Sequence, residues 1–214
     1  MRRVGLVFVL AFASSAIARA QSPTTELSAI AYGVSATRDA ILTATSVGSG
    51  SGTMTGGELS ARFSWAGIMV RLVNGAVPTA GSSAASLTTG EARLLLGARA
   101  ASLDVGYAVR AVGGALGSTT YSYLRAGGST ILDIGGTGAS ARASAAVYFG
   151  GQGAANAEVS GQEITAALEY RIGGTPFVLT AGYRAEVFQT ATLGVVRAEH
   201  LSGLLVGGGL RFTR

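Results

Sequence analysis

Glu163-Ile164-Thr165-Ala166-Ala167-Leu168-Glu169-Tyr170-Arg171-Ile172 is the stretch whose pattern decides the fold. Ile164, Ala166, Leu168, Tyr170 and Ile172 alternate with Glu163, Thr165, Ala167, Glu169 and Arg171. A period of two is that of a β-strand whose faces meet different surroundings, here one apolar and one charged. Gly173-Gly174-Thr175-Pro176 then reads as a turn. Phe177 to Phe188 repeats the pattern, with Phe177, Leu179, Ala181, Tyr183, Ala185 and Val187 on one face and Thr180, Gly182, Arg184 and Glu186 on the other. The unit is a β-hairpin.

The unit recurs upstream. Ala92, Leu94, Leu96 and Ala98 oppose Glu91, Arg93 and Arg99, a tight turn is expected near Ala101-Ser102, and Leu103, Val105, Tyr107 and Val109 oppose Asp104 and Arg110. Gly138 to Phe149 places Ala139, Ala141, Ala143, Ala145, Val147 and Phe149 against Ser140, Arg142, Ser144 and Tyr148. Gly57-Glu58, Gly90-Glu91 and Gly161-Gln162-Glu163 form a weak repeat, each expected to open a strand that runs into a short turn and a second strand. Asn74 to Thr89, Phe149 to Gln162 and Gln189 to Arg197 read as longer connections rich in Gly, Ala, Ser and Thr. Short turns at one end and longer loops at the other is the layout of outer-membrane barrels, with the short turns periplasmic.

Composition narrows the field. Mean hydropathy is +0.43, yet beyond residue 20 the uncharged stretches, such as Ala40 to Gly57 and Leu72 to Gly90, are filled with Gly, Ser and Thr, so no transmembrane helix is expected. Met1-Arg2-Arg3, the apolar run Val4 to Ile17 and Ala18-Arg19-Ala20 read as a signal peptide over residues 1–20, cut before Gln21. An anchor helix needs roughly 18 to 20 apolar residues, and Ser14-Ser15 and Arg19 break this run. A single domain, 21–214, follows; 214 less 20 leaves 194 residues. Of sixteen cations, loss of Arg2, Arg3 and Arg19 leaves thirteen against eleven acids, a net of +2, which supports no nucleic-acid partner. Without cysteine there is no disulfide, thiolate metal site or cysteine nucleophile. No phosphate loop or metal-ligand cluster is legible, and Gly113-Gly114 and Gly207-Gly208-Gly209 lack a following helix, so no cofactor is expected.

The expected fold is all-β: a closed antiparallel transmembrane β-barrel of about ten strands. Strands running toward the short turns near 58–65, 90–99, 119–126, 163–172 and 199–212, each with a partner before it, give ten, and residues 26–46 must supply one of them. Glu58 to Asn74 changes parity between Trp65 and Ala66, which is either a turn or a bulge; a bulge would favour eight. A soluble secreted β-sandwich binding module, which also alternates, is the other architecture compatible with the period.

At the C-terminus Leu204, Val206, Leu210 and Phe212 alternate, with Thr213 and Arg214 after the aromatic. This resembles the last-strand signal of outer-membrane barrels, and the chain from residue 21 looks like the small porin-like or outer-membrane protein A/X-like barrel families of Gram-negative bacteria. The resemblance implies an outer-membrane location, with outer-membrane lipid and the barrel assembly machinery as partners, and it carries no activity. Trp65, Tyr170, Phe177 and Phe212 fall at the short-turn end on the apolar parity, where an interfacial aromatic girdle belongs; aromatics also simply favour strands.

Parity sends Arg62, Arg71, Arg93, Arg99, Arg110, Arg142, Arg171, Arg184 and Arg211 to the lumen with Glu58, Glu91, Asp104, Glu163, Glu169 and Glu186. Such a lining is either an anion-preferring pore or small-ligand site, or an ion-pair lattice filling a narrow barrel. The expected function is a structural or small-pore barrel without catalytic activity. The alternative rests on His200 and Ser202, which share a face as His-x-Ser and resemble the pair of outer-membrane lipid A deacylases, where the histidine is general base to the serine. Glu199 is adjacent but faces the other way, and Gly203 stands where a polar residue is expected.

Overall fold

The computed structural model describes residues 25–42, 45–78, 86–114, 117–153, 157–193 and 195–214; the expected signal peptide lies outside them. Ten strands follow one another: β1 (Thr25–Leu42), β2 (Thr45–Phe63), β3 (Ala66–Ala76), β4 (Ser86–Ala98), β5 (Ala101–Gly114), β6 (Gly117–Ile134), β7 (Ala139–Gly153), β8 (Glu158–Arg171), β9 (Phe177–Thr192) and β10 (Val195–Thr213). Each pairs antiparallel with its sequence neighbours, and β1 closes on β10, from Glu26 opposite Thr213 to Leu42 opposite Arg197. A closed ring leaves no sheet edge and no second sheet, so the sandwich is excluded.

Alternation is visible as burial. On β1 the even-numbered positions from Glu26 to Ala40 are buried and the intervening ones exposed. On β8 Tyr170, Leu168, Ala166 and Ile164 face outward, with Leu168 61% exposed, before Gln162 and Ser160. On β1 Leu27, Ala29, Ala31 and Gly33 give way to Ser35, Thr37 and Asp39 in the same manner. An uncharged apolar band thus rings the outside from the turn end upward, and the outward carboxylates Asp39 and Glu158 stand loopward of it.

Several local expectations are corrected. The parity change at Glu58 to Asn74 is a turn at Ser64-Trp65, with Ser64 in the left-handed region at φ 55°, and this makes the count ten. The turn expected at Ala101-Ser102 lies at Arg99-Ala100, because Gly97 opposite Ser102 and Ala98 opposite Ala101 still pair. Gly57, Gly90 and Gly161 do not open strands but sit inside β2, β4 and β8. The longer connections shrink correspondingly: β9 and β10 are joined by Leu193 and one further residue, and β7 runs to Gly153. Above the apolar band the outer face turns polar while the inner face carries apolar side chains such as Val34, Val159 and Leu201, so the alternation of the band inverts or fades while backbone pairing continues. Strands of 18 and 19 residues exceed the roughly 9 to 11 that a tilted span requires.

Candidate functional site

Among the described residues, charged side chains from many strands converge in the lumen. Glu163 of β8 is its hub: Arg71 of β3 donates to both carboxylate oxygens at 3.1 and 2.7 Å, Arg184 of β9 donates at 2.6 Å, the Tyr148 hydroxyl of β7 at 2.9 Å, and Arg125 of β6 reaches it at 3.5 Å. Around the hub, Glu91 accepts from Arg71 at 2.5 Å and from Arg93 Nε at 2.8 Å, Asp104 pairs with Arg125, and Glu186 accepts from Arg110 at 2.5 Å and Arg184 at 3.1 Å. These groups are out of water, so each carboxylate is paired with at least one guanidinium, and Glu163, Glu91 and Glu186 with more than one, as buried charge requires.

Toward the turn end a second layer follows. Arg142 donates to Glu58 at 3.2 Å, Arg211 to Glu169 at 2.7 Å, and Arg99 contacts Glu26 at 2.9 Å and Asp133 at 3.1 Å. Arg62 donates to neutral acceptors, the Gly97 carbonyl at 2.7 Å and the Ser102 hydroxyl at 3.1 Å. Arg171 reaches only the Arg211 carbonyl, at 3.5 Å.

From the level of the lattice toward the loop end, apolar side chains pack into the lumen. Ile30, Tyr32, Val34, Met54, Val73, Val77, Leu87 and Leu201 form one buried cluster, and Tyr123, Tyr148, Val159 and Phe188 another. Arg110, wholly buried, stacks over Phe188 with its guanidinium carbon 4.2 Å from the ring centroid. Above it Arg38 donates to Glu199 at 2.6 Å and to the Val77 carbonyl at 3.3 Å, so the start of the β3–β4 connection is pinned into the mouth. The described residues enclose a cavity of about 50 Å³ beside Tyr32, Arg71 and Glu163, and a vestibule of about 340 Å³ at the turn-side mouth.

All fifteen charged residues that parity assigned to the lumen are placed on the inner side or, for Arg99 and Arg171, at its turn-side mouth. Parity reasoning missed Glu26, Arg38 and Arg125, and named Glu199 only as facing away from His200 and Ser202. On β1 the inner face is apolar between its charges and so is the outer face, so hydrophobicity does not distinguish them; the shared even parity of Glu26 and Arg38 was the available signal. Arg125 shares its parity with Tyr123, an inward aromatic that reads like an outward one.

Outside, Trp65, Tyr170, Phe177 and Phe212 are all exposed at the turn end, joined by Phe63. In ring order they fall on β8, β9, β10 and the β2–β3 corner, while Leu96, Leu103 and Leu132 occupy that level on β4, β5 and β6, so the aromatics form half a girdle. His200 and Ser202 face outward above the band. The Ser202 hydroxyl is hydrogen-bonded to Thr37 across the β1–β10 seam at 3.1 Å, and Glu199 lies inside the barrel on Arg38. Asp39 stands opposite His200 in register.

No family model matches the chain, and no curated protein matches it. Solved structures of similar shape include the outer membrane protease OmpT from Escherichia coli (TM-score 0.47, 7% identity, 90% of this chain and 98% of that one). The beta domain of the Bordetella autotransporter BrkA gives a TM-score of 0.41 at 11% identity over 86% of this chain and 99% of that one. An anion-selective porin from Comamonas acidovorans gives 0.37 at 14% identity, with 77% of this chain covering 56% of the porin. All three are outer-membrane β-barrels, and at these identities the likeness lends nothing to an assignment of activity.

Proposed function

We propose that this chain is a structural outer-membrane β-barrel whose lumen is sealed in its resting state, neither an open pore nor an enzyme. The observation that carries the reading is the filled cross-section at Arg110, Tyr123 and Phe188, none more than 2% exposed, with the ion-pair lattice stacked directly below. The uncharged outer band supports insertion into lipid, where an arginine at the midplane costs about 2 to 4 kcal/mol. Against catalysis, the side-chain hydrogen-bond partner of the Ser202 hydroxyl among the described residues is the Thr37 hydroxyl, which is no general base. The implied partners are outer-membrane lipid and the machinery that assembles barrels.

The test is made on the refolded protein in planar bilayers and on gels. Unboiled samples are expected to migrate apart from boiled ones, and reconstituted protein to show no conductance steps; sustained channel openings would overturn the sealed lumen. Lipid A of unchanged mass in cells with and without the protein is the expected enzymatic result, and loss of an acyl chain that depends on Ser202 would establish the deacylase reading instead.

A further inference from the structure

The turn-side vestibule has a charge left over. It is lined by Arg99, Arg171, Arg211, Asp133, Glu169 and Ser140. Both carboxylates are taken, Asp133 by Arg99 at 3.1 Å and Glu169 by Arg211 at 2.7 Å. Among the described residues the Arg171 guanidinium forms no ion pair, and its one side-chain hydrogen bond is the 3.5 Å contact to the Arg211 carbonyl; its backbone N–H donates to the Gly138 carbonyl at 2.8 Å. Every one of the chain's eleven acids lies among the described residues, and none of their oxygens is within 4.0 Å of the Arg171 guanidinium. Across the whole turn-side layer five arginines (62, 99, 142, 171, 211) face four acids (26, 58, 133, 169), and Arg62 satisfies its donors with neutral oxygens. Arg171 thus carries the excess. Its planar fork matches a carboxylate or phosphate bidentately. Gly136 and Gly138 line the same space and contribute no side chain to fill it.

We infer that this vestibule is a binding site for the oxyanion group of a small solute entering from the short-turn side, with Arg171 as its anchor. Because the lumen is sealed above, the site is a blind cup: a solute enters and leaves by the same mouth. The inference rests on the sealed-barrel reading only for that last point, since the anchor and the wall belong to the vestibule alone.

The protein refolded in detergent is titrated calorimetrically with inorganic phosphate and, separately, with succinate, in chloride buffer. One ion is expected to bind per barrel, and Arg171→Gln to weaken it about tenfold or more, the scale of a lost charged hydrogen bond. Arg171→Lys is expected to retain part of the affinity, and Arg197→Gln, at the opposite mouth, all of it. Binding of phosphate alone assigns a phosphorylated solute, and binding of both assigns carboxylates as well. As an independent readout, Thr213→Cys is expected to react faster with an anionic than with a cationic methanethiosulfonate, with the preference lost when Arg171→Gln is added. No binding of either ion together with equal reaction rates, or binding indifferent to Arg171→Gln, overturns the inference. Either result leaves heat-modifiable migration and absent conductance unchanged, so failure here is distinguishable from failure of the sealed barrel.

Discussion

Glu163 is where a single side chain has most at stake. It answers two arginines at 2.7 and 2.6 Å and a tyrosine hydroxyl at 2.9 Å, and its own side chain is 2% exposed. Removing it leaves Arg71 and Arg184 leaning on Glu91 and Glu186 alone, in a space closed to bulk water. Glu163→Ala is therefore expected to cost about 3 to 5 kcal/mol, the penalty of breaking a buried ion pair from one side. A lower urea midpoint in refolding titrations checks this, and an unchanged midpoint would show the hub to be solvated. The inward placement of Glu163 was legible in Glu163 to Ile172 because its neighbours alternate without interruption. Its partners were not, since parity fixes a face but says nothing about which strands stand opposite one another across a barrel.

At the scale of the element, β8 shows how position along a strand sets the cost of a charge. Ala166 lies within the apolar band and Gln162 just above it, both outward. Ala166→Arg is expected to destabilise the barrel in phospholipid vesicles by about 2 to 4 kcal/mol, and Gln162→Arg by about 0 to 1 kcal/mol. Equal effects at the two sites would contradict the placement of the band. Strands were most legible where the band makes their faces differ, as in β4, β5, β8 and β9. They were least legible at their loop-side ends, as in Gly48 to Thr55, where the inner face carries glycines and the single apolar Met54, and the outer face Ser and Thr. Of the expected loops at Phe149 to Gln162 and Gln189 to Arg197, Phe149 to Gly153, Glu158 to Gln162, Gln189 to Thr192 and Val195 to Arg197 are strand for that reason.

For the molecule as a whole, closure depends on the fit of β10 against β1. A Cβ on Gly209 would lie 1.9 Å from the Ala29 carbonyl oxygen, and one on Gly207 would lie 2.3 Å from that of Ala31. No flexible side chain is there to yield, only the backbone of the neighbouring strand. Gly209→Val is expected to prevent sealing of the ring, read as loss of the fast-migrating unboiled form, while Gly208→Ala, whose added carbon meets nothing nearer than 3.3 Å, should leave it intact. The order of events in assembly follows from the lattice inside. Arg71 and Glu163 are 92 residues apart in the chain, and Arg38 and Glu199 are 161. Neighbouring hairpins can zip early, but such partners meet only when remote parts of the ring have come round, and loops that long are slow to close. Until then the arginines and carboxylates remain hydrated, and their water is surrendered together in a late, concerted step. The dry lattice is thus a record of completion: a barrel caught part-way, with β1 and β10 unjoined, would still be wet inside.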